Sequence, residues 1–351
     1  MLFLPGMLQK TIATNEEWDS LASECDNATF FHTREWAELW ETYTGGKLKA
    51  EAEILTLTDA TRVLIPFSVG KSFKQPFFQY LTYPIWTYLS SFIGTYGGWI
   101  STRPLTPEQH KTVWDRVSTY NTMLCQNPFD TSLAEANLDW NYPGFTQAID
   151  LEPGFDSYLK NVGKEFRRLL RVAREAGITV ERSNAPEDWE ACYQIYTAST
   201  TQWGNKLLGK EYKRELFDLL SKLDPEKMQL WVARYEGKVI YATVCFYYKQ
   251  IVHCWLGVGL KEYYRLNQVK LADTAILEDA CKRGYRWYDL GPSGGLEGVV
   301  NYKSSLKPTK IPANFYIHNS NIRKASNVLI HKARELKQAI NWGNALKRSK
   351  I

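Results

Sequence analysis

The chain has 351 residues, 44% apolar and 23% charged, an ordinary globular composition and more than one hydrophobic core usually organises, so two domains are expected. The net charge of +5 is too mild to argue for nucleic acid by itself, and it is uneven: Asn321–Ile351 holds eight Lys/Arg against one acid, a net of +7, which leaves −2 for the preceding 320 residues. Six scattered cysteines without a C-x-x-C pair read as reduced thiols of a cytoplasmic protein, and five widely separated histidines give no metal spacing, so no metal is expected.

The first residues lack the basic and long apolar regions of a signal peptide. Helices are predicted over 16–22 and 34–43, the second capped by Thr33 and carrying Trp36, Leu39, Trp40 and Tyr43 at three- and four-residue spacings. Alternation predicts strands over 52–57 and 63–69 around a turn at Asp59. Residues 75–102 carry no charge and could nominally cross a bilayer, but Pro76, Pro84, Gly94, Gly97 and Gly98 argue against a spanning helix. Thr106 and Pro107 open a helix that runs to Asn121, and 148–151 reads as a strand. Glu152-Pro153-Gly154 marks the boundary between an N-terminal lobe (1–150) and a C-terminal lobe (151–315).

The second half reads as one or two helices over 155–176, a strand over 178–181, and helices over 186–202 and 210–222. Three strands follow at 229–235, 239–248 and 251–258, the first two joined by Glu236-Gly237. A helix over 269–282 stops at Gly284, and a strand over 285–290 feeds Gly291-Pro292-Ser293-Gly294-Gly295. This order predicts an α+β fold of mixed sheets flanked by helices, not an alternating doubly wound one. In the tail, 316–351, apolar residues from Ile322 to Ile340 recur every three or four positions. That is a basic amphipathic helix, which either packs on the first lobe or contacts anionic lipid peripherally.

Four segments carry a family resemblance. They are Phe30-Phe31-His32 leading into Trp36 and Trp40; Gly94-Thr95-Tyr96-Gly97-Gly98-Trp99; the basic run Lys164–Arg174 with Gly177; and Tyr288-Asp289-Leu290-Gly291-Pro292 with Asn301-Tyr302-Lys303 beyond it. In this order and spacing the chain resembles the FemABX-like branch of the GNAT superfamily, which includes the peptidoglycan bridge aminoacyltransferases. The resemblance implies tandem GNAT-like lobes with a substrate groove between them. It also implies transfer of an acyl or aminoacyl group from acyl-CoA or aminoacyl-tRNA to an amine, with small-molecule, lipid-linked cell-wall and glycolipid precursors among the acceptors. One departure counts against CoA: Leu260–Gln268, where many relatives carry a glycine-rich pyrophosphate loop, has no glycine. A side-chain cation there, such as Arg265, could still serve a phosphate.

Acyl transfer to an amine needs an uncharged nucleophile, a polarised carbonyl and fixed donors for the oxyanion. By resemblance, Lys303 meets the donor's carbonyl or a phosphate and Tyr302 packs on the substrate; the plain alternative is a solvated lysine near Lys307 and Lys310. Asp289 either orients an amine or cation, or caps the Gly291 loop through an Asx-turn. Arg167 and Arg171 lie on a basic helix face, suited to tRNA, CoA or a lipid diphosphate, though such faces are commonly just solvated. Tyr96, Gly97, Trp203, Gly291 and Ser293 complete the expected substrate contacts, with a first-lobe core as the alternative for Tyr96. Gly291–Gly295 matches G-x-S-x-G, but Gly298 stands where a helix would begin, which argues against a hydrolase. The standing alternative to an enzyme is a non-catalytic module that binds a peptide or glycolipid.

Overall fold

A computed structural model describes residues 7–71, 86–90, 95–203, 212–293 and 297–318. Among these residues the chain builds two mixed, seven-stranded sheets flanked by helices.

The first half runs β1 (Met7–Ile12), α1 (Asn15–Glu24), α2 (Arg34–Tyr43), β2 (Leu48–Leu57), β3 (Arg62–Lys71), β4 (Trp86–Leu89), β5 (Ile100–Ser101), α3 (Pro107–Val117) and β6 (Thr122–Cys125). Thr14, Thr33 and Thr106 cap α1, α2 and α3 by accepting from backbone amides, which satisfies donors the first turn leaves free. The second half runs β7 (Phe145–Asp150), α4 (Phe155–Asn161), α5 (Lys164–Glu175), β8 (Thr179–Ser183), α6 (Pro186–Trp203), α7 (Arg214–Leu220), β9 (Met228–Tyr235), β10 (Lys238–Tyr248), β11 (Ile251–Gly259), α8 (Gln268–Lys282), β12 (Trp287–Asp289), α9 (Glu297–Ser305), β13 (Thr309–Pro312) and β14 (Phe315–His318).

The sheets are ordered β1-β2-β3-β4-β6-β14, with β5 on β3, and β13-β7-β12-β11-β10-β9-β8. Strand β7 therefore lies in the second sheet, while β14 returns to the first and pairs with β6. The β9–β10 hairpin turns at Glu236 and Gly237, both at positive φ (50° and 78°), as a tight primed turn demands. The β11-α8-β12 crossover makes the one parallel pair in the second sheet among the described residues.

The two halves meet in a shared aromatic cluster. Phe30 stacks on Phe246 with centroids 4.6 Å apart, and Trp36 meets Phe246 and Trp255 edge to face. A Lys227–Glu35 ion pair of 2.6 Å joins the same surfaces. Partly exposed Tyr43, Tyr212, Trp255 and Leu256 pack against the cluster and form its rim. The expected tail helix falls almost wholly outside the described residues, as does most of the uncharged stretch 75–102. Among the described residues no helix is long and apolar enough to cross a membrane.

Candidate active site

Strand β11 pairs with β12 only from Ile251 to His253, where His253 faces Asp289. Beyond that point no described strand covers residues 254–259 on that side, so the sheet opens where β12 ends. Helix α9 returns the chain to this opening. Lys303, only 9% exposed, donates through Nζ to the carbonyls of Gly291 (2.9 Å) and Pro292 (3.0 Å). Burial pushes its ammonium below the usual lysine range, while Cys254, Asp289 and Asp273 pull the other way. Lys303 is thus buried rather than solvated, with two of its three N–H bonds engaged.

The neighbouring Tyr302 donates its hydroxyl to the carboxylate of Asp273 on α8, and Tyr288 donates to the other oxygen at 2.6 Å. Lys270 lies over the Tyr302 ring, 5.1 Å from its centroid. Burial raises the Asp273 carboxyl and holds the Tyr302 phenol well above 10, so the phenol keeps its proton.

Asp289 is fully enclosed and has three donors. Its Oδ1 accepts from the Thr146 hydroxyl (2.6 Å) and the Gly291 amide (2.9 Å); its Oδ2 lies 2.5 Å from His253 Nδ1. The Gly291 bond is the Asx-turn weighed above, and the His253 bond supplies the neighbouring ring. Burial alone would raise this carboxyl, but His253, Thr146 and the Gly291 amide outweigh it and hold the group below the usual carboxylate range. The His253 ring is gripped edge to face by Phe31 (4.8 Å) and Tyr96 (5.4 Å), both from the first half. A chain of contacts therefore runs from Phe31 and Tyr96 through His253, Asp289 and Gly291 to Lys303.

The two first-half motifs are clasped to each other. Thr29 N–H donates to His32 Nδ1 (3.1 Å), so His32 Nε2 carries the proton and donates to the Gly97 carbonyl (3.0 Å). Burial lowers this imidazole to about 4, which keeps it neutral. Gly97 has no room for a side chain: a Cβ there would lie 2.0 Å from the Ser90 carbonyl oxygen.

The other sequence candidates lie further out. Ser293 donates to Gln147 Oε1 (3.0 Å) beside the opening. Although Gly298 argued against a helix after the G-x-S-x-G match, α9 forms there; it is the Ser293–Gln147 bond, not a missing helix, that leaves this serine without a nucleophile's wiring. Arg167 donates to the carbonyls of Leu159, Lys160 and Val162 at 2.7–3.1 Å, closing the C-terminal end of α4. Arg171 is exposed and pairs with Glu175 at 3.6 Å. Arg265 is exposed, in the 3-10 turn before α8, and the Trp203 side chain lies outside the described residues. Asn267 adopts the left-handed conformation (φ 60°) expected of a glycine, and the α8 N-terminus behind it has no side-chain cap. Among the described residues no group of three or more His, Cys, Asp or Glu could hold a metal.

Sequence reasoning missed His253, Thr146 and Asp273. A signal existed for Asp273: α8 carries Ala272, Ile276, Leu277 and Ala280 on its buried side, and an acid among them is out of place unless partnered. His253 and Thr146 had none, because each acquires its partner from a different strand.

A strand that loses its neighbour midway, flanked by a helix and a buried lysine, is the feature around which the candidate residues gather. Residues 160–304 match the family model described as "Acetyltransferase (GNAT) domain". Over nearly its whole length the chain has a FemX-like fold: a crystal structure of FemX superposes with a TM-score of 0.63 at 12% identity, over 91% of this chain and 99% of that one. The C-terminal domain of a protein described as a lysylphosphatidylglycerol synthetase from Agrobacterium fabrum gives 0.54 at 13% identity, over 90% and 96%. A conserved protein of unknown function from Bacteroides thetaiotaomicron gives 0.51 at 10% identity, over 89% and 100%. No curated protein sequence matches the chain significantly.

Proposed function

We propose that the protein is an N-acyltransferase that moves an acyl or aminoacyl group from acyl-CoA or aminoacyl-tRNA to an amine, with a cell-wall or glycolipid precursor as acceptor class. The observation that carries the reading is Lys303: a buried ammonium, held by two carbonyls at the opening between β11 and β12, beside the Tyr302 phenol. Its remaining N–H is available to the donor's carbonyl oxygen. In the reaction the neutral amine attacks the carbonyl carbon, a C–N bond forms, and the ammonium steadies the oxyanion. The C–S or C–O bond to the carrier then breaks, and the amine's proton leaves with the carrier.

The likeness to a domain described as a lysylphosphatidylglycerol synthetase supports aminoacyl transfer as much as acyl-CoA use. The uncapped amides at the start of α8, with Asn267 in the left-handed conformation and Arg265 nearby, support a phosphate-bearing donor. Six free thiols support a reducing compartment.

The test is a panel of acyl-CoAs and aminoacyl-tRNAs with amine acceptors, reading released thiol or deacylated tRNA. Turnover is expected with one donor class, and Lys303→Ala should lower kcat by about tenfold or more per folded molecule. Because Lys303 is buried, folded protein is counted by its melting transition in the same samples. A donor that raises the melting temperature while nothing is released would establish a binding module instead.

A further inference from the structure

Asp273 is 2% exposed and makes no ion pair among the described residues. Its two oxygens are each occupied by a tyrosine hydroxyl, one from the core residue Tyr288 and one from Tyr302. The titratable groups around it are Tyr158 from α4, Tyr241 and Cys245 from β10, Cys254 from β11, Tyr288 from β12, Lys270 on its own helix, and Tyr302 and Lys303 from α9. Lys270 sits over the Tyr302 ring and Lys303 is bound to carbonyls, so neither ammonium is shown bonded to the acid. An enclosed carboxylate without a bonded cation is a poor way to stabilise a helix that otherwise packs through Ile276, Leu277 and Ala280.

We propose that Asp273 is a positioning residue: it holds the Tyr302 hydroxyl proton toward itself, so that the phenol oxygen turns its lone pairs to the opening beside Lys303 and receives an N–H of the acceptor amine. A phenolic hydrogen can lie on either side of its C–O bond in the ring plane, and an enclosed acceptor fixes which side it takes. The inference rests on the acyl-transfer reading and adds the group that orients the amine.

The test compares wild type, Asp273→Asn, Tyr302→Phe and the double variant. Asp273→Asn and Tyr302→Phe should each lower kcat about tenfold with little change in KM, and the double variant should be no worse than Tyr302→Phe alone, because both act through one hydroxyl. Tyr288→Phe, which removes the other hydroxyl, should keep kcat within about twofold.

Stability supplies a second readout. The folded Asp273 carboxyl is raised by burial, so its contribution to stability is full below the unfolded value and is lost as pH rises through the folded one. Asp273→Asn should therefore melt at or above wild type at pH 7, with the difference shrinking in acid. Additive losses in the double variant, or a lower melting temperature for Asp273→Asn at pH 7, overturn the proposal. Should wild type release nothing from any donor, the acyl-transfer reading falls by itself, and the melting comparison still decides whether Asp273 is merely structural.

Discussion

Asp289 and Asp273 stand on either side of the same strand junction, yet they live under opposite conditions. Asp289 faces the first half, where a histidine, a hydroxyl and a backbone amide together overcome the effect of burial and keep the carboxyl below its usual range. Asp273 faces the core beneath α8, where two phenols are too weak to do so and the carboxyl is raised. The number and strength of donors, not depth of burial, separates an acid that braces a fold from one that weakens it.

The largest effect should come from removing the braced acid. Asp289→Ala leaves His253 Nδ1, the Thr146 hydroxyl and the Gly291 amide without their acceptor and should cost about 3–5 kcal/mol in chemical denaturation. A loss below about 1 kcal/mol would break the comparison.

His32 extends the comparison to an imidazole on the first-half side. Its folded value is depressed, so its contribution is present above the unfolded value and lost as pH falls through the folded one. Between pH 6.5 and about 4 this amounts to about 3 kcal/mol. His32→Gln should flatten the stability curve across that window, and an unchanged slope in urea titrations would remove His32 from the clasp.

The smallest effect sharpens the link to Lys303. Gly291 has φ 69°, and a Cβ there would lie 3.3 Å from the His253 ring. Gly291→Ala should cost about 1–2 kcal/mol and lower turnover by a larger factor than that stability loss explains, since the Gly291 carbonyl holds Lys303. Unchanged turnover per folded molecule would show that the loop can move without disturbing the lysine.

Much of the secondary structure was legible locally. Thr33 and Thr106 mark their helices, Glu236-Gly237 its hairpin, and Gly177 and Gly284 stand at positive φ after α5 and α8, as helix-stop glycines do. Short strands were harder: β5, β6, β13 and β14 carry too few residues for alternation to register. Helix α9 was hidden by Gly298, a helix-weakening residue that packing of Lys303 and Leu306 overrides.

By itself the sequence determined the order of the longer elements and the resemblance to FemABX-like GNAT proteins, and it singled out Tyr302 and Lys303 as candidates. Periodicity, caps and turn residues are read from neighbours a few positions away. Only the tertiary structure decided that Lys303 is enclosed, that Asp289 takes His253 while Tyr302 takes Asp273, and that Phe31 and Tyr96 press on the same histidine. These pairs join residues from 29 to more than 200 positions apart, and no local pattern encodes which donor reaches which acceptor.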